Sequence, residues 1–217
     1  LCRDMGDKVR GLGVALSMQG SGIANVDIAS TVIKLQDDGF YTLSIGATDM
    51  GTGCDTILAQ MAAECLDCDV DNIITQSVDT DASPYDTGSY ASATTYVTGM
   101  AVVKTCEELK KQMLREAAIL LEVDEEHITF DGSMLRAVEN AKEISLADFA
   151  NRCFAGGKGE CLIASASHCS PTSPPPFMAG IAEVDVDKLT GEITLVDYAA
   201  VVDCGTVINP NLARIQT

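Results

Sequence analysis

The sequence predicts an α+β fold built mostly of antiparallel hairpins with packed helices. Three observations carry this. Tyr41-Thr42-Leu43-Ser44-Ile45 alternates apolar and polar side chains, the period of a half-buried strand. Leu109, Met113, Ala117 and Leu121 recur every four residues, the stripe of a core-facing helix, and Glu107, Glu108, Lys110 and Lys111 lie off it. Ala182, Val184 and Val186 alternate with Glu183, Asp185 and Asp187 ahead of a Thr190-Gly191 turn, and Ile193 and Leu195 continue on the return strand. Strands arranged in hairpins and interrupted by helices point away from a parallel α/β sheet.

The elements follow in order. The β-branched run from Ser30 to Leu35, the turn Asp37-Asp38-Gly39 and the Tyr41–Ile45 strand make a hairpin. Asp55 is placed to cap a helix reaching Leu66, with Ile57, Leu58, Met61, Ala62, Cys65 and Leu66 on one face. Asn72 to Val78 reads as a strand. A long helix runs from Thr94 to Leu121. Gly99 inside it costs about 1 kcal/mol relative to alanine, which suggests close approach of another backbone. Short strands follow near Ile128–Phe130 and Leu135–Val138 around an Asp131-Gly132 turn, and Ser145 starts a short helix. Ala155–Gly159 reads as a glycine-rich loop and Ser170–Pro176 as a proline-rich connection. Ala199–Val202 reads as deeply buried strand.

At 217 residues, 47% hydrophobic and 21% charged, the chain holds enough apolar matter for one large domain or two small ones. A division into two α+β subdomains would fall near residues 165–177. The start at Leu1 and the end at Ile215-Gln216-Thr217 read as a piece of something longer. No apolar run approaches the roughly 20 residues of a membrane-spanning helix, and no export signal opens the chain. Fourteen basic against thirty-two acidic residues give a net charge of −18, which repels phosphate backbones and excludes nucleic acid as a partner. Any small anion bound here must be held by backbone N–H groups, hydroxyls and helix ends. Nine cysteines without an export signal indicate free thiols in a reducing, cytoplasmic setting. Cys65 and Cys68 form a Cys-x-x-Cys pair, but no second pair stands at zinc spacing, so packing explains them better than metal. His127 and His168 are isolated and read as surface or capping residues.

Two segments attract chemical attention. Gly46 to Thr56 joins a strand to a helix through Gly51-Thr52-Gly53. Its glycines permit close backbone approach, and unpaired N–H groups at the helix start would form an anion cradle. An ordinary tight turn would look the same. Gly88 to Thr95 crowds Ser92, Thr94 and Thr95 at the start of the long helix, where hydroxyl donors and the positive helix end suit a phosphate. A serine cap explains one such hydroxyl; three in four residues exceed that need. No nucleophile elbow, Walker loop or dinucleotide fingerprint is present, and no carboxylate pair stands out as acid and base.

Taken together with Phe177–Glu183, Val184-Asp185-Val186-Asp187, Thr190-Gly191-Glu192, Asp203-Cys204-Gly205 and Ile208-Asn209-Pro210, these loops resemble the molybdenum-binding subunit of the xanthine dehydrogenase/aldehyde oxidase family. The order and spacing agree over nearly the whole chain. The resemblance implies that Gly51, Thr52, Gly53, Ala91, Ser92, Thr94 and Thr95 hold the pterin and phosphate of molybdopterin. The cofactor would be the bare pterin or its cytosine dinucleotide form. Gln216, seven residues past Asn209, matches a glutamine that contacts the cofactor in the family. Many members carry glutamine where this chain has Thr52, whose shorter hydroxyl reaches less far.

The reaction implied is oxidative hydroxylation of an electron-poor carbon in a small molecule, with xanthine- or hypoxanthine-like purines preferred over an aldehyde, nicotinate or carbon monoxide. The family's catalytic glutamate is expected beyond Gln216, so no residue of this chain is assigned as catalytic or as a metal ligand, and the isolated piece is expected to be inactive. Iron–sulfur clusters and FAD are implied on other modules, which become partners together with the remainder of the molybdenum-binding subunit. A different class is an acidic α+β interaction domain without activity. It accounts for the charge but leaves the two loops unexplained.

Overall fold

The structure, a computed structural model, describes residues 2–155 and 161–216. The Ala155–Gly159 loop expected above falls, apart from Ala155, outside the described residues. The chain divides into two compact units, Gly22–Ser173 and a discontinuous one of Leu1–Ser21 with Pro174–Thr217.

The larger unit is organised around a four-stranded sheet. β3 (Ile28–Leu35) and β4 (Tyr41–Ile45) form the expected antiparallel hairpin. β5 (Ile73–Gln76) pairs with β4 in parallel, and β9 (Ile163–Cys169) pairs with β3 antiparallel, giving the order β5-β4-β3-β9. The alternation in β3 and β4 sends Ile33, Leu35, Tyr41, Leu43 and Ile45 into the core, each 1% exposed or less. Two helices cover that face, α1 (Cys54–Cys65) and α2 (Gly99–Leu121). Leu58 and Ala62 of α1 and Leu109, Met113 and Ala117 of α2 are fully buried, so the four-residue stripe is the core stripe. A small antiparallel sheet of β6 (Ile128–Phe130), β7 (Met134–Ala137) and β8 (Glu143–Ser145) follows α2. Ser145 then caps α3 (Leu146–Ala155), its Oγ accepting from the Asp148 N–H at 3.1 Å.

Two local expectations need correction. Asp55 does not cap α1: Gly53 takes that position at φ 78°, which a side chain would oppose, and Asp55 lies in the first turn. Gly99 does not admit a backbone. A Cβ there would stand 2.7 Å from Cε of Met61, so the glycine makes room for a methionine of α1 between the two helices.

The other unit is a four-stranded antiparallel sheet in the order β1-β2-β10-β11. It is made from β1 (Cys2–Asp4), β2 (Lys8–Met18), β10 (Phe177–Asp187) and β11 (Ile193–Asp203). Residues 177–187 and 193–203 form the expected hairpin, with a bulge between Glu183 and Val184. Leu12, Val14, Leu16 and Met18 oppose Glu183, Ile181, Ala179 and Phe177 across β2 and β10. They form an open apolar face, with Leu16 82% and Val14 64% exposed. Ala199–Val202 runs on β11 of this sheet and is largely exposed, contrary to the buried strand expected. The apolar run reflects the open sheet face rather than an enclosed core. A short helix, α4 (Pro210–Ile215), ends the unit; Asn209 Oδ1 caps it by accepting from the N–H groups of Asn211 and Leu212.

Candidate functional site

Both loops singled out above lie in the larger unit, and the sheet brings their stems together. Gly46 follows β4. A Cβ on it would meet the Pro84 carbonyl oxygen at 2.2 Å and Cβ of Asp86 at 2.8 Å, so only glycine lets the two stems touch. The Tyr85–Thr87 stretch is fastened to the start of β3. Ser30 N–H donates to the Tyr85 carbonyl at 2.8 Å, and Thr87 N–H donates to the Ile28 carbonyl at 2.9 Å.

The first loop is not the open anion cradle its glycines suggest. Asp49 Oδ1 accepts from the N–H groups of Gly51 at 2.9 Å and Gly53 at 3.1 Å. These bonds hold the Asp49 carboxyl below the usual carboxylate range. The loop is therefore closed over a carboxylate of its own, and a second anion would find those donors taken. What it offers instead is shape. Gly51, at φ 100°, has nothing within 4 Å of where its Cβ would be, and Thr52 is exposed. Behind it, burial pushes the Cys54 thiol up to about 12, with Asp55 and Asp49 adding to the shift, so this cysteine is protonated and inert. Ligand atoms of Asp49, Cys54 and Asp55 lie within 4.8 Å of one another, but the positive end of α1 and the N–H groups already on Asp49 oppose a cation there.

The second loop is different. Ala91 and Ser92 both adopt the left-handed region, at φ 50° and 57°. Two successive non-glycine residues in that conformation cost roughly 1–3 kcal/mol each and persist only where their surroundings impose it. The surroundings are visible. Gly22 N–H donates to the Ala91 carbonyl at 2.7 Å, and Ser173 Oγ donates to the Gly22 carbonyl at 2.5 Å. Gly22 itself is steadied by the turn that ends in buried Asp27, whose Oδ2 accepts from the Ile23 N–H at 2.7 Å.

A π-helical turn, Thr94–Thr98, then leads into α2. Its cap position is Ala93, with no side chain capping it and no acidic residue in the first turn, so the serine cap weighed above is absent. Ser92 and Thr95 are exposed, and Thr94 Oγ1 donates to Ser89 Oγ at 2.8 Å. An uncapped helix start, exposed hydroxyls and a strained backbone turn make a place for an anionic group that needs no lysine or arginine.

Gln216 follows α4 in the other unit; its N–H donates to the Ala213 carbonyl at 3.1 Å and its side chain is exposed. Sequence reasoning missed Asp49 and Asp86. Asp86 Oδ1 accepts from the Gly88 N–H at 2.8 Å and Oδ2 from Thr98 Oγ1 at 2.9 Å. The available signal was the Asp-x-Gly spacing of Asp49-Met50-Gly51 and Asp86-Thr87-Gly88, in which a short carboxylate reaches the N–H two residues on.

Among known proteins, the pattern of the molybdopterin cofactor-binding domain matches residues 2–217. The chain belongs to that family. Among curated members, "Probable hypoxanthine oxidase XdhD" of Escherichia coli (strain K12) is 37% identical over 213 residues, covering 97% of this chain and 22% of its own length. The "Xanthine dehydrogenase molybdenum-binding subunit" of Escherichia coli O157:H7 is 31% identical over 217 residues, covering 97% of this chain and 29% of its own. The chain thus spans less than a third of the length of these relatives. Reconstituted CO dehydrogenase from Oligotropha carboxidovorans superposes with a TM-score of 0.83 at 26% identity, over 97% of this chain and 28% of that one. Quinoline 2-oxidoreductase from Pseudomonas putida 86 shares the fold, with a TM-score of 0.83 at 24% identity, over 97% and 29%.

Proposed function

We propose that this chain supplies the part of a molybdenum hydroxylase that holds molybdopterin, and that the whole protein hydroxylates a purine of the xanthine or hypoxanthine kind. The observation that carries the cofactor reading is the left-handed Ala91–Ser92 pair at an uncapped helix start, a costly conformation in a sequence that belongs to a molybdopterin-binding family. The residues present fit the group unequally. Ser92 and Thr95, with the helix-start N–H groups, suit its phosphate; Thr94 is assigned to the same group on the resemblance, its hydroxyl donating to Ser89 Oγ and so bracing the turn, and Ala91 sets the backbone turn. Gly51, Thr52 and Gly53 suit its flat pterin: open space over Gly51 admits a ring system, while Asp49 occupies the N–H groups a phosphate would need. Gln216 is assigned to the same cofactor on the resemblance of its segment alone.

When bound, molybdopterin supplies a redox-active molybdenum that accepts two electrons from the substrate. This chain's residues bind and orient the group; none of them is assigned a proton transfer. The purine preference rests on the two relatives named for hypoxanthine and xanthine. The similarity to CO dehydrogenase keeps carbon monoxide as a competing substrate. The same reading places iron–sulfur and flavin modules beside this chain as electron acceptors. A reducing, cytoplasmic setting fits nine free thiols, and no helix among the described residues is long and apolar enough to cross a membrane.

The test is the molybdenum-to-protein ratio of the complete protein, purified without oxygen and measured by elemental mass spectrometry. A ratio near one per chain is expected, with purine-dependent reduction of a dye acceptor. A ratio near zero in folded protein returns the chain to the interaction-domain reading.

A further inference from the structure

We propose that Asp86 is a positioning residue of the cofactor site, a staple that holds the Ala91–Ser92 turn in its left-handed form; this rests on the molybdopterin reading above. Asp86 lies where four segments meet. Its backbone bridges Ala29 of β3, its Cβ lies against Gly46 at the stem of the first loop, and its two carboxylate oxygens accept from Gly88 N–H and Thr98 Oγ1. Gly88 and Thr98 bracket the whole second loop. One side chain therefore ties the beginning of that loop to the end of its helical turn, and Ala91 and Ser92 sit inside the closed span.

Thr94 Oγ1, donating to Ser89 Oγ, closes a shorter span inside it, and the other neighbouring tethers hold different points. Gly22 N–H fixes the Ala91 carbonyl, which sets one point of the turn but not the separation of its ends. Thr87 is anchored through its backbone N–H, and its Oγ1 accepts from the Ile28 N–H at 2.8 Å, so the Tyr85–Thr87 stretch is a fixed base. From that base the Asp86 side chain reaches Thr98. Both of its oxygens are engaged inside the loop, so its charge is spent on internal donors rather than presented to an anionic ligand.

Geometry and charge are separable at this position. Asparagine can keep both bonds: its oxygen accepts from Gly88 N–H, and its amide donates to Thr98 Oγ1, since a hydroxyl accepts as well as donates. Alanine keeps neither. With the staple gone, Ala91 and Ser92 relax toward the ordinary right-handed region, and the N–H groups and Ser92 hydroxyl turn away from the phosphate.

The experiment uses the complete protein, produced where cofactor is available, with molybdenum by elemental mass spectrometry and pterin by the fluorescence of its oxidised form. Asp86→Ala is expected to hold about ten-fold less of both, and Asp86→Asn to stay within about two-fold of the unmodified protein, as for a supporting residue one step removed from a bound group. The thermal midpoints of the cofactor-free forms are expected to agree within a few degrees. Thr98→Val, which removes one bond of the two, is expected to show an intermediate loss and decides the matter if Asp86→Ala does not fold. The inference is overturned if Asp86→Ala retains full cofactor, if Asp86→Asn falls with it, or if Thr98→Val changes nothing. Unmodified protein that holds no pterin overturns the underlying reading, and the inference with it, which is a separately visible result.

Discussion

The hydroxyls of Thr31 on β3 and Thr105 on α2 lie 2.6 Å apart, with both residues fully buried. Thr105 Oγ1 also donates to the Ala101 carbonyl at 2.8 Å, one turn back on its own helix. The pair is a polar pin between the central strand and the helix that carries the second loop at its start. Thr105→Val leaves the Thr31 hydroxyl buried without its partner and is expected to cost about 1–3 kcal/mol in denaturant unfolding. Thr31→Val with Thr105→Val restores an apolar contact of similar shape, so the double variant is expected to lose less than the sum of the singles. Strict additivity would show that the pin carries no coupling.

Histidine 168 gives stability a pH dependence. Both ring nitrogens are buried without a hydrogen-bond partner, and burial, with Lys104 nearby, lowers its pKa from the ordinary value of 6.5. The folded state prefers the neutral ring, whereas the unfolded chain takes up a proton at 6.5. Its contribution is therefore fully present above pH 6.5 and is lost as pH falls from there toward the lower folded value. The slope in that window is at most about 1.4 kcal/mol per pH unit. Unfolding midpoints between pH 7.5 and 5.5 should fall in the natural protein and fall less in His168→Phe. Equal slopes would rule out His168 as the source.

Two glycines should answer alanine to different degrees. At Gly132, φ is 87° and a Cβ would stand 1.7 Å from the Asp67 carbonyl oxygen, so Gly132→Ala must move backbone and is expected to cost at least about 2 kcal/mol. At Gly99 the obstacle is the mobile tip of Met61, and alanine gains up to about 1 kcal/mol of helix propensity. Gly99→Ala is expected to fall within about 1 kcal/mol of the natural protein by chemical denaturation.

At the second loop, Ser92→Ala with Thr94→Ala removes one hydroxyl from the proposed phosphate position and the Thr94–Ser89 bond that braces the turn beside it. Cofactor content of the complete protein is expected to drop about ten-fold, at a thermal midpoint changed by only a few degrees, because an exposed serine and a half-buried threonine contribute little to packing. Unchanged pterin content would remove these hydroxyls from the site.

The strength of each local signal decided what the sequence could show. The Tyr41–Ile45 alternation and the Leu109–Leu121 stripe are set by burial on one face, and both elements stand where the pattern places them. Ala199–Val202 misled because an apolar run reports only that a surface is apolar, not that anything covers it. The first loop misled for a subtler reason: glycines indicate where a backbone can turn, but Asp49, two residues upstream, determines where the N–H groups go. The left-handed conformation of Ala91 and Ser92 has no local signature at all, since neither residue favours it. It is imposed by Gly22 and by the Asp86 span, contacts made across 69 and 12 residues respectively.

The sheet of β1, β2, β10 and β11 takes its strands from opposite ends of the sequence, with Met18 opposite Phe177. During synthesis β10 follows β2 by roughly 160 residues, an interval of some ten seconds or more at typical elongation rates. Until then Leu12, Val14, Leu16 and Met18 lack their β10 neighbour, and an apolar strand in that state is the kind of segment that recruits chaperones or sticks to its neighbours. Slow translation between Met18 and Phe177 therefore lengthens the time for which this apolar strand lacks its neighbour.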